Sequence, residues 1–411
     1  MRKLFTIVVL LTLVTSLVMA GTAQAQNRMP RQLVIVVSEG LGSQAIDFST
    51  GYVKTAYEEG AVVAFDELKA KSKVLSTGGV SDLRGLLKMA AANGYKTGLV
   101  TTGNVAEVAP LFYDLPQANQ ADAASTLIRD ARFDLLAGGG RTDFEPVTKN
   151  LTEAGVTAFY DAESLDVDII GKSLILQSDD ELTYVLDRDV EKEAGFAEMA
   201  TLAMQTLSSE DAPFVLVVHD TLVKKAINDR DTPALLEQFR ELDGIVADAL
   251  GFSEGSPGEL GIVLLTTSGT LAPRFTSSVP TEQVSAFYIL SELPFSYGRA
   301  GQVLKGADEA KLTAFATDDY KGWKLTPESR AGILAGTITP EQAIRASYEP
   351  SLKIEYVKAD QPAAAYVWGF EAGGDVAQAL KNIVGSKPAD KLPPVEEDEV
   401  AVPVPAPAPG M

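Results

Sequence analysis

Short apolar runs of β-favouring residues recur along the chain, and each is followed by small or polar residues. The runs are Leu33–Val37, Gly98–Thr102, Phe133–Ala137, Ser173–Gln177, Phe214–Val218 and Ile262–Thr266. Apolarity that continues without alternation marks strands buried on both faces. Between the runs the period turns helical. Thr232 to Gly251 is the clearest case, with Leu235, Phe239, Leu242, Val246 and Ala249 at three- and four-residue spacing. Thr232 stands at the cap, Pro233 suits the first turn, and Gly251 suits the end. Ser81 to Asn93 reads as a second helix, closed by Gly94.

Buried strands that alternate with helices predict an α/β fold of three layers, with a doubly wound, mostly parallel central sheet. Residues 30–310 carry this pattern as one domain. After Leu304 it loosens, with helices expected near Thr339–Ser347 and Gly374–Val384 and strands near Ile354–Lys358 and Ala365–Gly369. Residues 311–386 therefore read as a C-terminal α+β segment packed on the same domain.

Both ends stand outside this pattern. Arg2 and Lys3 precede an apolar run from Leu4 to Met19, and Ala23-Gln24-Ala25 supplies a small-x-small cleavage pattern. Residues 1–25 thus read as a signal peptide, which places the protein in the periplasm or outside the cell with no membrane span left after cleavage. The competing reading, a retained anchor, needs about 20 apolar residues. Residues 387–411 alternate proline with small or acidic residues and read as an extended, disordered tail. It is either a solvated spacer or a docking peptide for an envelope protein.

Composition narrows the chemistry. The 411 residues are 46% hydrophobic, ample for a large core. Asp and Glu number 56 against 35 Lys and Arg, a net charge of −21 that opposes binding to nucleic acid or anionic lipid. Self-association into a homo-oligomer stays open. With no cysteine, disulfides, thiolate metal sites and cysteine nucleophiles are all excluded. There is one histidine, His219.

In such sheets, sites form where loops leave the carboxyl ends of the strands. The segments to watch are then 38–42, 101–110, 138–141, 219–221 and 266–269. None is a phosphate loop, since none ends in Gly-Lys-Ser/Thr, and the dinucleotide glycine spacing is absent after the first run.

Several of these segments together resemble the alkaline phosphatase family. RQLVIVVSEGLG is similar to its first strand, which ends G-D-G-M-G. YKTGLVTTGNVAEVAPLFY resembles its G-x-x-T-G-L-V-T-T-x-x-x-T-H-A-T-P-A-x-F-Y segment, and FDLLAGGGRTDF its D-V-L-L-G-G-G-R-x-x-F. PFVLVVHDTLVKKAINDRD occupies the place of F-x-x-x-V-E-G-x-x-I-D-x-x-x-H, and GIVLLTTSGT that of V-V-x-T-A-D-H-E-T. The blocks run in order from about Arg31 to Pro280.

The resemblance implies two zinc ions, a magnesium ion and a serine nucleophile on a D-S-A helix. Carried over position by position, the family's first-strand metal aspartate falls on Glu39. Its magnesium-binding Asp or His falls on Glu107, with the threonine of that motif on Ala109. Its V-E-G glutamate falls on His219, and the aspartate and histidine of I-D-x-x-x-H fall on Lys224 and Asn228. The A-D-H pair falls on Ser268 and Gly269, and the late histidine near Phe275. No D-S-A motif is present, which leaves Ser76, Thr77 and Ser81 as poor substitutes. The phosphate-clamping arginine is also missing, with Arg129 late for that role.

A zinc pair of the family's kind needs three histidines, and one imidazole without cysteine does not supply them. The expectation is therefore a degenerate cleft: no catalytic residues, no metal cofactor, and an exported pseudoenzyme with a binding or structural role in the envelope. Two other readings compete. One is a phosphoric monoester hydrolase with a rearranged oxygen-ligated metal site at Glu39 and Glu107. The other is a non-catalytic phosphate or anion binder that uses loop amides and Lys224.

Plainer readings exist residue by residue. Glu39 reads equally as a helix-start carboxylate, Glu107 as a solvated loop residue, His219 as a satisfied half-buried histidine, and Lys224 with Lys225 as a solvated helix face. Asp229 and Asp231 form at most a fragment of a calcium loop. The sharper expectation is that Glu39, Glu107, His219, Lys224 and Ser268 converge, with Lys224 paired to Glu39.

Overall fold

The computed structural model describes residues 29–57, 63–116, 120–130, 132–165, 169–255, 258–267, 269–317, 324–359, 363–388 and 390. The signal-peptide reading of residues 1–25, nearly all of the 387–411 tail, and Ser268 lie outside the described residues.

Eleven strands occur among the described residues: β1 (Gln32–Ser38), β2 (Lys73–Leu75), β3 (Lys96–Asn104), β4 (Leu135–Gly139), β5 (Val156–Phe159), β6 (Lys172–Ser178), β7 (Phe214–Asp220), β8 (Leu260–Thr266), β9 (Leu271–Phe275), β10 (Ile354–Lys358) and β11 (Ala364–Trp368). Nine form one sheet in the order β2-β11-β8-β1-β7-β3-β4-β6-β5. From β8 to β5 every pairing is parallel, while β11 runs antiparallel to both β8 and β2. The C-terminal segment thus contributes a strand to the main sheet through β11, and β10 pairs separately with β9.

The expected continuous apolar runs make physical sense in this sheet. Leu33, Ile35 and Val37 of β1 point to one face, where they join a core with Val217 and Val263. Val34 and Val36 point to the other face and join Val218 and Leu264. Helices cover both faces, so neither set meets water. Each buried Val or Leu side chain contributes about 1.5–3 kcal/mol, which favours this two-sided burial over an alternating pattern.

Local readings shift in three places. The 133–137 run becomes β4 two residues later, because Asp134 accepts the Thr97 N–H at 2.7 Å before the strand begins. The single helix expected over Ser81–Asn93 is instead a 3-10 turn, Val80–Leu83, and a helix, Leu86–Ala92. Gly85 separates them at φ +73, and its N–H donates to Leu111 O at 2.9 Å. The helix expected over Thr232–Gly251 continues to Gly255. Its first turn is capped by Asp231, which accepts the Ala234 N–H at 3.3 Å, while the Thr232 hydroxyl meets Tyr356 OH at 3.1 Å.

The helices that leave the carboxyl ends of β1, β3 and β7 are α1 (Ser43–Ala56), α2 (Val105–Phe112) and α3 (Leu222–Asn228), and α4 (Thr232–Gly255) comes after α3. Strand register fixes which residues meet where these helices begin. Ser38 lies level with Asp220 on one side and Thr266 on the other, and Thr101 lies level with His219.

Phe239 of α4 is fully buried, with its ring 4.9 Å from that of Phe65. Phe239→Ala should lower the unfolding free energy by about 3–5 kcal/mol in urea titrations, and a loss under about 1 kcal/mol would show that this face is not tightly packed.

Candidate functional site

The level strand ends gather three segments. β1 runs into Glu39-Gly40, β7 ends in His219-Asp220 and leads into α3, and β3 ends in Thr101 to Asn104. Asp220 ties them together. Its fully buried carboxylate accepts the Ser38 hydroxyl at 3.0 Å, the Thr102 hydroxyl at 3.4 Å, and the N–H groups of Leu222 and Val223 at 3.1 and 3.3 Å. Burial pushes its pKa up to about 7 despite these donors.

Glu39 adjoins Asp220 through backbone, its N–H donating to the Asp220 carbonyl at 3.0 Å. Its Oε1 lies 3.0 Å from His219 Nε2, and its Oε2 accepts from Lys224 Nζ at 2.7 Å. The His219 hydrogen bond, reinforced by Lys224, holds the carboxyl at about 2 against the opposing effect of burial. His219 is itself buried. Its Nδ1 meets the Thr101 hydroxyl at 3.3 Å, and its ring stands edge-on to Phe112 at 5.8 Å.

A close backbone approach puts Lys224 beside Glu39. Gly40 has φ +76, and a Cβ on it would lie 2.9 Å from Lys224 Cβ and 3.0 Å from Lys224 Cα. Only glycine lets α3 press against this turn. The loop after β8 closes the same corner: Thr267 Oγ1 accepts the Gly40 N–H at 2.9 Å, and a Cβ on Gly269 would lie 2.6 Å from Gly40 O.

The structure therefore brings Glu39, His219 and Lys224 together, with Gly269 adjoining through backbone. Asn228 ends α3, where its Oδ1 accepts from the Thr270 hydroxyl at 3.4 Å. Glu107 leaves from the same edge of the sheet, exposed in the first turn of α2. Lys224 is not merely on a solvated helix face, although 53% of its side chain is exposed. Lys225 pairs with Glu181 and lies over the Tyr184 ring at 5.6 Å.

Other candidates have structural duties. Asp231 accepts the N–H groups of Tyr297 and Gly298 at 3.1 and 3.0 Å, which takes it from the calcium reading. Arg141 donates to the carbonyls of Tyr160, Gln177 and Leu176 at 2.5 to 3.3 Å, so its guanidinium binds backbone. Arg129 pairs with its neighbour Asp130. Phe275 sits in an aromatic cluster, 5.1 Å from Phe48 and from Phe287. Ser76 forms an isolated bridge to Asp375, the Thr77 hydroxyl accepts the Gly79 N–H, and Ser81 lies in the 3-10 turn.

Thr101, His219 and Glu39 follow the hydroxyl–imidazole–carboxylate order of a nucleophile relay. Thr101 has no exposed surface, however, and it also accepts the Gly103 N–H at 3.0 Å.

Nor does the donor set fit two zinc ions and a magnesium ion. Both Glu39 oxygens face nitrogen donors, the sole imidazole turns its Nε2 to Glu39, and an ammonium stands within salt-bridge distance. Zinc requires open nitrogen, sulfur or carboxylate donors in tetrahedral array. Among the described residues, no three His, Asp or Glu side chains form a metal-holding group.

No family model matches the sequence. Alkaline phosphatase 4 of Bacillus subtilis (strain 168) is 24% identical over 288 residues, which are 59% of this chain and 62% of that protein. The alkaline phosphatase of Thermus thermophilus superposes with a TM-score of 0.70 at 16% identity, covering 89% of this chain and 93% of that one. A variant of the TAB5 alkaline phosphatase, crystallised with magnesium bound, gives 0.57 at 13% identity over 88% and 100%. The chain is alkaline phosphatase-like, and it has that fold.

The two carboxylates impose opposite pH effects. Asp220 keeps a proton in the folded state to about pH 7 that the unfolded chain releases near 3.8, so its contribution is lost as pH rises across that window. Glu39 is ionised in the folded state down to about pH 2 against 4.5 unfolded, so its contribution is lost as pH falls below 4.5. In urea titrations from pH 2.5 to 8, Asp220→Asn should flatten the first slope and Glu39→Gln the second. Slopes unchanged by either variant would show that other groups govern the profile.

Proposed function

We propose that this is an exported, catalytically silent alkaline phosphatase-like protein with a binding or structural role in the cell envelope. One observation carries the reading: both oxygens of Glu39 are committed, one to Lys224 and one to His219. In this proposal Glu39, Glu107, His219, Lys224, Asn228, Ser268 and Gly269 correspond to the family's metal positions. A metal-assisted hydrolase needs open ligands there to polarise the phosphoryl group and activate a nucleophile. An ammonium on the principal carboxylate works against that, because it repels the ion the carboxylate would bind.

Export rests on the leader pattern of residues 1–25, and a chain without cysteine needs no oxidative folding once exported. Among the described residues, no helix is long and apolar enough to cross a membrane. In this reading the tail beyond Lys387 is a solvated spacer or a docking peptide for an envelope protein. The competing reading is a phosphoric monoester hydrolase with a rearranged metal site, and the Bacillus subtilis relative bears the name alkaline phosphatase.

Metal analysis and an aryl-phosphate assay with added zinc, magnesium, manganese or calcium separate the two. The mature protein should carry no stoichiometric zinc and release phosphate no faster than a buffer blank. Metal-dependent turnover that disappears in Glu39→Ala would replace the silent reading with the enzymatic one.

A further inference from the structure

We propose that Glu39 and His219 form a cation pocket whose resident cation is the Lys224 ammonium, carried by the chain itself in place of a metal ion. The inference deepens the silent reading and rests on it, since it names what occupies the site instead of a catalytic ion.

Three observations converge. First, the pocket has cation chemistry: a carboxylate with little exposed surface, one oxygen oriented by a buried imidazole. Asp220 adjoins it only through backbone, its carbonyl accepting the Glu39 N–H at 3.0 Å, while its carboxylate accepts from Ser38 and Thr102. A part-buried carboxylate of this kind is favoured in its charged form by a cation within hydrogen-bond reach.

Second, that charge is supplied by construction. Gly40 removes the side chain that would hold α3 away, which places the Lys224 stem against the Glu39-Gly40 turn. The ammonium then reaches Glu39 Oε2 at 2.7 Å. Third, the other charge on α3 is already allotted, because Lys225 pairs with Glu181. Lys224 is thus the cation assigned to Glu39.

A tethered ammonium differs from a bound ion in one measurable way: its occupancy does not depend on metal supply or chelators. Its stem also bars a divalent ion from the same oxygen. Removing the ammonium should expose a carboxylate–imidazole pair to solvent and make the site respond to added cations.

The test measures melting temperature and bound metal on the full mature chain, with and without EDTA, zinc and manganese. Wild type and Lys224→Arg should melt at the same temperature in EDTA as with either metal. Lys224→Met should melt lower in EDTA, by on the order of 2 °C, and recover that loss with zinc. Lys224→Glu, which adds a second carboxylate beside Glu39, should show the larger zinc-induced rise, while Glu39→Gln combined with Lys224→Met should show none. Wild type that melts lower in EDTA, or Lys224 variants that fold yet ignore zinc, would overturn the proposal. Phosphate release measured on the same samples reports separately on the silent reading: turnover by wild type sinks that reading, whereas a missing zinc response with no turnover sinks only this inference.

Discussion

Parallel strand pairing is the constraint on which the rest depends. Ser38, Asp220 and Thr266 lie level across three neighbouring strands, and Thr101 lies level with His219. Residues that come after these strands are far apart in the chain, yet they have nowhere to go but the same edge. Two of the residues delivered there are carboxylates. Each is satisfied differently. Asp220 is buried under hydroxyl and amide donors and has its pKa raised, whereas Glu39 is held ionised by an imidazole and an ammonium.

The two carboxylates therefore have different duties. Asp220 joins the strand ends and starts α3, which is a structural task. Glu39 and Lys224 neutralise each other. Since half of the Lys224 side chain is exposed, their attraction contributes only about 0–1 kcal/mol. The pair matters more for what it occupies than for what it stabilises. Gly40, Gly269 and Thr267 hold these loops together, the glycines through close backbone approach and Thr267 through its side-chain hydroxyl.

Much of this was legible in the sequence. The five-residue runs at 33–37, 214–218 and 262–266 are strands because Val, Ile and Leu buried on both faces leave no other element so compact. Lys224 beside Glu39 was an expectation of the family resemblance, which puts both at metal positions, and it stood against a plain solvated-face reading. Other features were not readable. The cap of α4 passed from Thr232 to Asp231 because a buried tyrosine hydroxyl engages the threonine, a long-range contact with no local signature. The break at Gly85 depends on a hydrogen bond to Leu111, again outside the local window. Asp220 was visible only as one polar residue after a run, and its central role emerges from three-dimensional burial. Arg141 looked like part of a specific motif, but its partners are carbonyls that no pattern encodes.

The central claim is that an ammonium, not a metal ion, sits on Glu39. Crystals grown with excess zinc and measured on both sides of the zinc absorption edge test it directly. The account predicts continuous side-chain density from Lys224 to Glu39 and no anomalous peak within bonding distance of Glu39 or His219. An anomalous peak between those two residues, with Lys224 turned away, would contradict it.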